Sequence, residues 1–419
     1  MKHSIAFASF VLSAAAVAAP RVENVELTQD ASSGLVTVTY DLKDEAAIVT
    51  LDVLVGGTSV GFKNLTALDG DVNRLVAVGD GKRIAWHPNG EWNGKAASAV
   101  ARVKAWTPSD PPDYLVANLA FEDTVRYYED AVQVPEGVTA TVYKTSKLLM
   151  RRIHAKGVTW KIGSTTGPRD GQREACFDVK LTNDFYIAVY PFTQGQYYHV
   201  WGQRPGSNTY GGDTTEWKWS TYPMNFCGYS KLRGKPADGF NWPTDGHKVA
   251  PDSLLQSFRT RTGLDGLDLP VEAQWEFAAR AGDYTHDLYN GYNLASETGD
   301  ENQEAIAWTT DDTDPSGAKT TWPVGLKQPN AYGLYDMLGN VYEICVSRFQ
   351  WQDNYPDADY DANIGCVSQY ASQRIMRGGS SVTNNGNKPS RVCYRDNTSE
   401  DDDNGRQDKG FRLSLTLYP

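Results

Sequence analysis

Hydrophobic residues recur at every second position through much of the N-terminal part of the chain. The alternation is clearest from Val36 to Leu42 and from Val49 to Val55. That period is typical of β-strands with one buried face. Turn sequences such as Gly79-Asp80-Gly81 and Pro88-Asn89-Gly90 separate the runs,. Residues 20–107 are therefore predicted to form an all-β, immunoglobulin-like sandwich.

A polar, proline-rich segment, Pro108 to Asp113, follows this predicted sandwich. Such a composition is typical of a stiff linker. Val138, Ala140 and Val142 then alternate with other residues, which predicts strand structure,. Residues 108–148 are therefore predicted to be a linker and strands that bridge two modules.

From residue 149 onward the pattern mixes short strands with helices. An apolar run from Phe185 to Tyr190 predicts a strand, and Thr193 with Gln196 forms the capping box of a following helix,. A second helical pattern runs from Leu269 to Gly282, with Trp275 on its apolar face,.

Two acids on that second helix, Glu272 and Glu276, admit two interpretations. We interpret them as structural, because Glu276 and Arg280 are spaced to pair across one helical turn,. The alternative is a catalytic carboxylate pair. Val271 stands at the position where a helix prefers a capping hydroxyl or carboxylate, so capping is expected to be weak there,.

Residues 1–19 resemble a targeting segment more than a structural one. Lys2 and His3 precede an apolar run from Ile5 to Val17, and Ala16-Val17-Ala18 has the form of a cleavage site,. This predicts a cleaved signal peptide and a secreted or periplasmic protein. No later run is long enough to span a membrane, so no membrane span is expected.

Composition and charge restrict the classes of partner. The chain has 419 residues, 40% of them hydrophobic and 22% charged, as in ordinary globular proteins,. A formal net charge of −12 argues against nucleic acid as a partner,. The length indicates more than one domain.

Five cysteines, in an exported protein, leave the pairing open. Two disulfides and one free thiol would use all of Cys176, Cys227, Cys345, Cys366 and Cys393,. The sequence contains neither a C-x-x-C pair nor an H-E-x-x-H motif, so the common zinc sites are not expected,.

The stretch Pro329 to Glu343 is the best candidate for a metal site. It has two acids, Asp336 and Glu343, on either side of a Gly339-Asn340 turn. Calcium takes six to eight oxygen ligands from carboxylates and backbone carbonyls, which an irregular segment can supply. The alternative is that both acids are ordinary solvated loop residues.

Six segments match, in order, the signature of a known family. They are NDFYIAVYPFTQGQY at 183–197, LPVEAQWEFAARAG at 269–282, PNAYGLYDMLGNVYE at 329–343, RIMRGGSS at 374–381, RVCYR at 391–395 and KGFRLSL at 409–415. Together they resemble the formylglycine-generating-enzyme, or sulfatase-modifying factor, family. The resemblance implies an α+β, C-type-lectin-like fold for residues 149–419. It also implies a structural calcium held by the side chains of Asp336 and Glu343 and the carbonyls of Gly339 and Val341.

The same resemblance bears on activity. Active members oxidise a cysteine in a Cys-x-Pro-x-Arg peptide with O₂, using copper(I) held by two cysteines between the RGGS and R-x-x-x-R blocks. Soft thiolates select copper(I). Here that interval, residues 382–390, has no cysteine, and Cys393 lies just beyond it as a weak catalytic candidate. We therefore do not expect copper.

Two functions remain. The first is a non-catalytic recognition module that binds an extracellular peptide, glycan or protein through the polar segment 381–409, with its five asparagines and the acidic run 400–403. Simple solvation is the alternative reading of that acidic run. The second is a formylglycine-generating oxidase with a rearranged site around Cys393.

Overall fold

The computed structural model divides the chain into two compact units, residues 1–111 and 112–419. It describes residues 18–418 apart from 62–63, 66, 89–97, 123, 165–173, 175, 205–217, 297, 316, 350–359, 367–371 and 383–387. All but the last two residues of the predicted signal peptide therefore lie outside the described residues. Within the described residues, no helix combines the length and the apolar character needed to cross a membrane.

The first unit is all β. Its strands are β1 Arg21–Gln29, β2 Val36–Lys43, β3 Ala47–Val55, β4 Thr58–Ser59, β5 Leu68–Gly70, β6 Arg74–Val76, β7 Gly79–Trp86 and β8 Ala99–Trp106. One sheet has the order β1-β2-β7-β5. In the other, β8 pairs along most of β3, while β6 pairs with the first residues of β3 and β4 with its last two.

The two sheets share one core, as the alternation predicts. Val36 and Val38 of β2 are buried in the same cluster as Val49 and Leu51 of β3, together with Trp86 of β7. Alternate side chains along these strands thus face inward from both sheets. The prediction of an all-β N-terminal region is confirmed, and an immunoglobulin-like strand order stays a prediction.

The second unit mixes strands and helices. Its strands are β9 Tyr114–Asn118, β10 Val125–Tyr128, β11 Lys147–Ile153, β12 Thr159–Ile162, β13 Phe177–Lys180, β14 Phe185–Ala188, β15 Leu267–Asp268, β16 Tyr342–Arg348, β17 Tyr360–Asp361, β18 Gly365–Cys366, β19 Gln373–Arg377, β20 Asp396–Ser399, β21 Lys409–Gly410 and β22 Ser414–Thr416. Its helices are α1 Gln194–Trp201, α2 Tyr229–Arg233, α3 Leu254–Thr262, α4 Glu272–Arg280 and α5 Glu301–Glu304, with 3₁₀ turns at Ala131–Gln133, Thr141–Lys144, Lys218–Thr221 and Pro236–Asp238.

Two larger sheets organise this unit. The first is antiparallel with the order β10-β9-β11-β14-β22-β15, so the C-terminal strand β22 lies inside it between β14 and β15. The second has the order β17-β18-β16-β19-β20, and β21 adds to β16 in parallel. The predicted α+β class is confirmed.

The predicted strand around Val138 to Val142 is wrong. Residues 137–146 form successive turns, with the N–H of Ala140 donating to Gly137 and that of Tyr143 donating to Ala140. Burial of Tyr143, which is 1% exposed, fixes this turn conformation against the local alternation. Residues 114–128, by contrast, form β9 and β10, and β9 pairs with β11 of the same unit.

The two predicted helices form, and their caps differ as expected. The Thr193 hydroxyl accepts a hydrogen bond from the Gln196 N–H at 3.2 Å, and Gln196 Oε1 accepts one from the Thr193 N–H at 3.0 Å. The capping-box prediction is confirmed. At the start of α4, Val271 has no side-chain acceptor for the helix N–H groups. Of the two capping-box hydrogen bonds, the described structure has the one that the Val271 N–H donates to Gln274 Oε1 at 3.1 Å.

Candidate functional site

The stretch 329–343 is a buried turn leading into β16. Asp336 and Glu343 are 2% and 1% exposed, so the interpretation as solvated loop acids is wrong. Gly339 has φ of +77°, and a Cβ at that position would lie 2.1 Å from the Trp308 carbonyl oxygen. Asn340 next to it bonds the Trp322 backbone through both its side-chain oxygen and nitrogen. The turn is therefore fixed from several sides.

Glu343 forms a buried ion pair with Arg412. Arg412 Nη2 donates to Glu343 Oε1 at 2.8 Å and Arg412 Nε to Oε2 at 2.9 Å, while Trp275 Nε1 donates to Oε2 at 2.6 Å. Both oxygens thus have strong donors, and the guanidinium supplies the compensating charge in a buried setting. A carboxylate occupied in this way does not fit the role of a calcium ligand.

Asp336 differs from Glu343. Its Oδ2 accepts the Gly325 N–H at 2.6 Å, but its Oδ1 is buried without a hydrogen-bond partner among the described residues. Burial raises the pKa of Asp336 to about 6, against the lowering effect of the Gly325 N–H and Arg412. An unpartnered buried carboxylate oxygen fits a cation ligand.

The stretch therefore fits calcium in part, at Asp336 and not at Glu343. Among the described residues, no three His, Cys, Asp or Glu side chains come together as a metal-binding group. Calcium at Asp336, Gly339 and Val341 stays a prediction, whereas Glu343, the fourth predicted ligand, is already occupied by Arg412 and Trp275.

The acids of α4 belong to a buried ionic network. Glu276 Oε1 accepts from Arg280 Nε at 2.8 Å and from the Gly163 N–H at 2.8 Å, and its Oε2 pairs with Arg377. Burial raises the pKa of Glu276, but Arg377 and Arg280 outweigh it and hold the pKa below its ordinary value. The paired and fully buried carboxylate has the structural role expected from its spacing to Arg280.

Cys393 is enclosed. It is 0% exposed, and burial raises the pKa of its thiol to about 12. Arg391 Nη1 lies 3.6 Å from its sulfur, and the thiol points to Asp287 Oδ1 at 3.8 Å. Burial therefore favours the protonated form of this thiol, and a nucleophile or a copper ligand at this position would have to lose that proton in an enclosed site.

The other described cysteines do not supply a partner. Cys176, Cys227, Cys345 and Cys393 are all free, and only Cys176 is exposed. The side chain of Cys366 lies outside the described residues, and the two disulfides that the sequence allows do not form among the other four cysteines.

The polar segment 381–409 is only partly described. Asn384, Asn385 and Asn387 lie outside the described residues. In the acidic run, Glu400 lies 2.8 Å from Arg374 Nη2, and Asp402 and Asp403 lie 3.0 and 3.1 Å from Lys409 and Lys235. Three of these acids therefore tie the loop to the domain, so solvation alone does not describe the run.

A cleft of about 790 Å³ opens elsewhere on the second unit. It lies between the end of β9, the 3₁₀ turns Thr141–Lys144 and Lys218–Thr221, α1 and Pro323. Sequence reasoning missed it because its walls come from segments that are distant along the chain.

The comparisons with known proteins agree with these features. Residues 144–417 match the family model of the sulfatase-modifying factor enzyme 1-like domain. The chaperone protein LppX of Paenibacillus barcinonensis is 29% identical over 191 residues, which cover 41% of this chain and 64% of that protein. The formylglycine-generating enzyme of Mus musculus is 26% identical over 205 residues, covering 44% of this chain and 51% of the enzyme.

A solved structure, the Treponema denticola variable protein 1, aligns with 64% of this chain and 95% of its own at 24% identity and a TM-score of 0.46. The matched part covers less than two thirds of the length of either relative above. The family match itself spans most of the second unit and confirms the resemblance carried by the six ordered segments. The chain belongs to the sulfatase-modifying factor enzyme 1-like domain family.

Proposed function

We propose that this protein is exported and acts there as a non-catalytic recognition protein that binds a peptide, glycan or protein. The observation that carries the proposal is the state of Cys393. Its thiol is fully buried and lies between Arg391 and Asp287, and burial raises its pKa to about 12. Copper(I)-dependent oxidation of a peptide cysteine, as in the active members of the family, needs two thiolates to hold the metal. The interval 382–390 contributes no cysteine.

Two further observations support binding over catalysis. The acids of α4 are occupied by buried arginines, so they are not available as a general acid and base. One relative is named a chaperone protein, which supports a binding role for this chain.

The test is an oxidation assay. The mature protein is incubated with a Cys-x-Pro-x-Arg peptide, copper, reductant and O₂, and the peptide mass is followed, with an active family enzyme as the positive control. We expect the mass of the peptide to stay unchanged, because its cysteine is not converted. Conversion of the cysteine to formylglycine would overturn the proposal in favour of the oxidase with a rearranged site. A Cys393→Ala variant would then show whether that residue takes part.

Export has its own measurement. The protein is expressed with its N-terminus intact, and the first residue of the product recovered from the periplasm or medium is sequenced. We expect the chain to begin just after Ala18 or Ala19, as the cleavage pattern predicts,. Retention of Met1 on all of the protein would contradict export by this route.

A further inference from the structure

A second pocket of the second unit lies where the acidic run 400–403 meets α2. We call it the Trp201 pocket, and its volume of about 470 Å³ falls in the range of ligand sites,. Its described walls include Trp201, Lys231, Asp238, Phe240, Asp252 and Asn404. The pocket lies within one compact unit, because all of these belong to residues 112–419. It also takes in part of the polar segment 381–409 to which the sequence assigns recognition.

Backbone contacts hold the acidic run against the start of α2. The Phe226 N–H donates a hydrogen bond to the Arg406 carbonyl at 3.1 Å. The Ser230 N–H donates one to the Asp402 carbonyl at 3.2 Å. A Cβ on Gly228 would overlap the Asp402 carbonyl oxygen, so the close approach of the two segments requires a glycine there,. This side of the pocket is therefore formed before a ligand arrives, which reduces the cost of binding.

Two aromatic rings give the pocket apolar walls. The Trp201 ring stacks on the Tyr197 ring, with 5.8 Å between the centroids and 6° between the planes. The Phe240 ring packs against Gly234, where an added Cβ would lie 2.7 Å from a ring carbon. Trp201 and Phe240 are both partly exposed and line the pocket. They offer rigid apolar surface that a ligand can cover.

Polar groups of both charges share the same walls. The ammoniums are those of Lys231 and Lys235, and the carboxylates are those of Asp238, Asp252 and Asp403. Asp403 lies 3.1 Å from Lys235, so these two groups form an ion pair at the wall. Asp238 and Asp252 are exposed, and their carboxylates are hydrogen-bond acceptors,. The pocket thus combines acceptors, donors and flat apolar surface.

This combination favours a neutral ligand that is rich in hydroxyl groups. A ligand with charge of one sign would bring that charge close to a like charge of the wall, which opposes binding. A wholly apolar ligand would displace water from the carboxylates and ammoniums without replacing its hydrogen bonds. A sugar hydroxyl both donates and accepts, so it can bond to either kind of group. The C–H face of a sugar ring can at the same time cover an aromatic wall.

We propose that the Trp201 pocket binds a sugar unit of a neutral glycan. Trp201 and Phe240 contact the sugar ring, and the carboxylates of Asp238 and Asp252 accept hydrogen bonds from its hydroxyls. This inference rests on the proposed recognition function and assigns it a site and a ligand class. The aromatic surface supplies affinity by excluding water, and the carboxylates select the arrangement of the hydroxyls.

The test begins with a glycan array, to which the labelled, mature full-length protein is applied. The array carries neutral oligosaccharides of glucose, galactose, mannose and N-acetylhexosamines, together with sialylated and sulfated forms. The neutral oligosaccharide that binds best is then titrated by calorimetry with wild type, Trp201→Ala, Trp201→Phe and Asp252→Asn. Tyr292→Ala and Asp265→Asn are the matched controls, because both residues are exposed and neither is among the described walls of the pocket. Equal melting temperatures show that the variants are folded.

We expect a neutral oligosaccharide to bind with an affinity that changes little with salt, because the ligand brings no charge to be screened. Trp201→Ala should weaken binding about tenfold or more. Trp201→Phe, which keeps an aromatic ring, should retain part of the affinity. Asp252→Asn should weaken binding about tenfold, because it removes a charged acceptor. Both controls should bind as wild type does.

Two results would overturn the inference. One is an array on which no neutral glycan binds, or on which charged glycans bind best and lose affinity steeply as salt is added. The other is binding of a neutral glycan that both Trp201→Phe and Asp252→Asn leave unchanged.

A displayed library of linear peptides separates the two levels of the proposal. Enriched peptides whose binding is lost in Trp201→Ala would overturn the glycan ligand and leave recognition standing. Oxidation of the Cys-x-Pro-x-Arg peptide would instead overturn the non-catalytic function itself, whatever the Trp201 pocket binds.

Discussion

Glu343 and Arg412 form a two-point ion pair in the interior of the second unit. Arg412 Nη2 and Nε lie 2.8 and 2.9 Å from the two oxygens of Glu343, and the side chains are 1% and 0% exposed. The guanidinium also donates to the carbonyls of Ala188 and Tyr335, at 2.7 Å each. The pair therefore joins β16, the segment before it, β14 and the C-terminal segment.

Removing the charge of Glu343 should destabilise this unit strongly. In Glu343→Gln the Arg412 guanidinium stays buried without its counter-ion, and such a loss costs about 3–5 kcal/mol. The free energy of unfolding, measured by urea denaturation, gives the loss. Lys161→Ala is the matched control, because Lys161 and Asp178 lie 3.1 Å apart with both side chains more than half exposed, and its effect should be far smaller,. Equal losses in the two variants would contradict the structural role of the buried pair.

Calcium at the stretch 329–343 has a direct test in thermal melting. Asp336 is the acid of that stretch with an oxygen to which no described group donates a hydrogen bond. We expect calcium to raise the melting temperature of wild type, by the equivalent of about 2.7 kcal/mol at a concentration 100-fold above its Kd. Asp336→Asn should remove that rise, and magnesium, which demands a tighter octahedron, should replace calcium poorly. A wild-type melting curve that calcium does not move would refute the site.

Thiol reactivity should follow burial. Cys176 is exposed, whereas Cys227, Cys345 and Cys393 are buried. Burial raises the pKa of Cys227 and of Cys393 to about 12, so few thiolates are present at neutral pH,. We expect iodoacetamide to modify Cys176 in the native protein and the three buried thiols only after unfolding, as read by peptide mass spectrometry. Rapid native labelling of Cys393 would contradict its enclosed position and reopen the oxidase function.

Two histidines should give opposite pH dependences of stability. The hydrogen bond to Asp113, 2.9 Å from Nε2, raises the pKa of His154 above its ordinary 6.5. The stabilisation is complete below the unfolded pKa and is lost as the pH rises through the folded one. His154→Gln should therefore cost more stability at pH 6 than at pH 8.

His199 is the control for that experiment. Burial and Arg261 lower its pKa, so the unfolded chain takes up a proton before the folded protein does as the pH falls,. His199→Gln should consequently cost less at pH 6 than at pH 8. The same pH trend in both variants would show that neither histidine governs it.

Short sequence patterns predicted most of the local structure and the family. Alternation at Val36 to Leu42 placed strand β2, and the Thr193–Gln196 box placed the start of α1. These signals act within one strand or one helical turn, so the residues that carry them are neighbours in the sequence. The ordered segments from 183 to 415 identified the family for the same reason, because each is a short, contiguous pattern.

The roles of the acids and the thiol of the candidate site depend on contacts between distant parts of the chain. Glu343 meets Arg412 at a separation of 69 residues, and Glu276 meets Arg377 at 101. No local pattern specifies such a pair, since it forms only when distant strands and loops pack together. The cleft beside Phe121 arises in the same way, from chain segments between Asn118 and Pro323. Around Tyr143 the packing even reversed the local signal, because burying that ring required turns where the alternation predicted a strand.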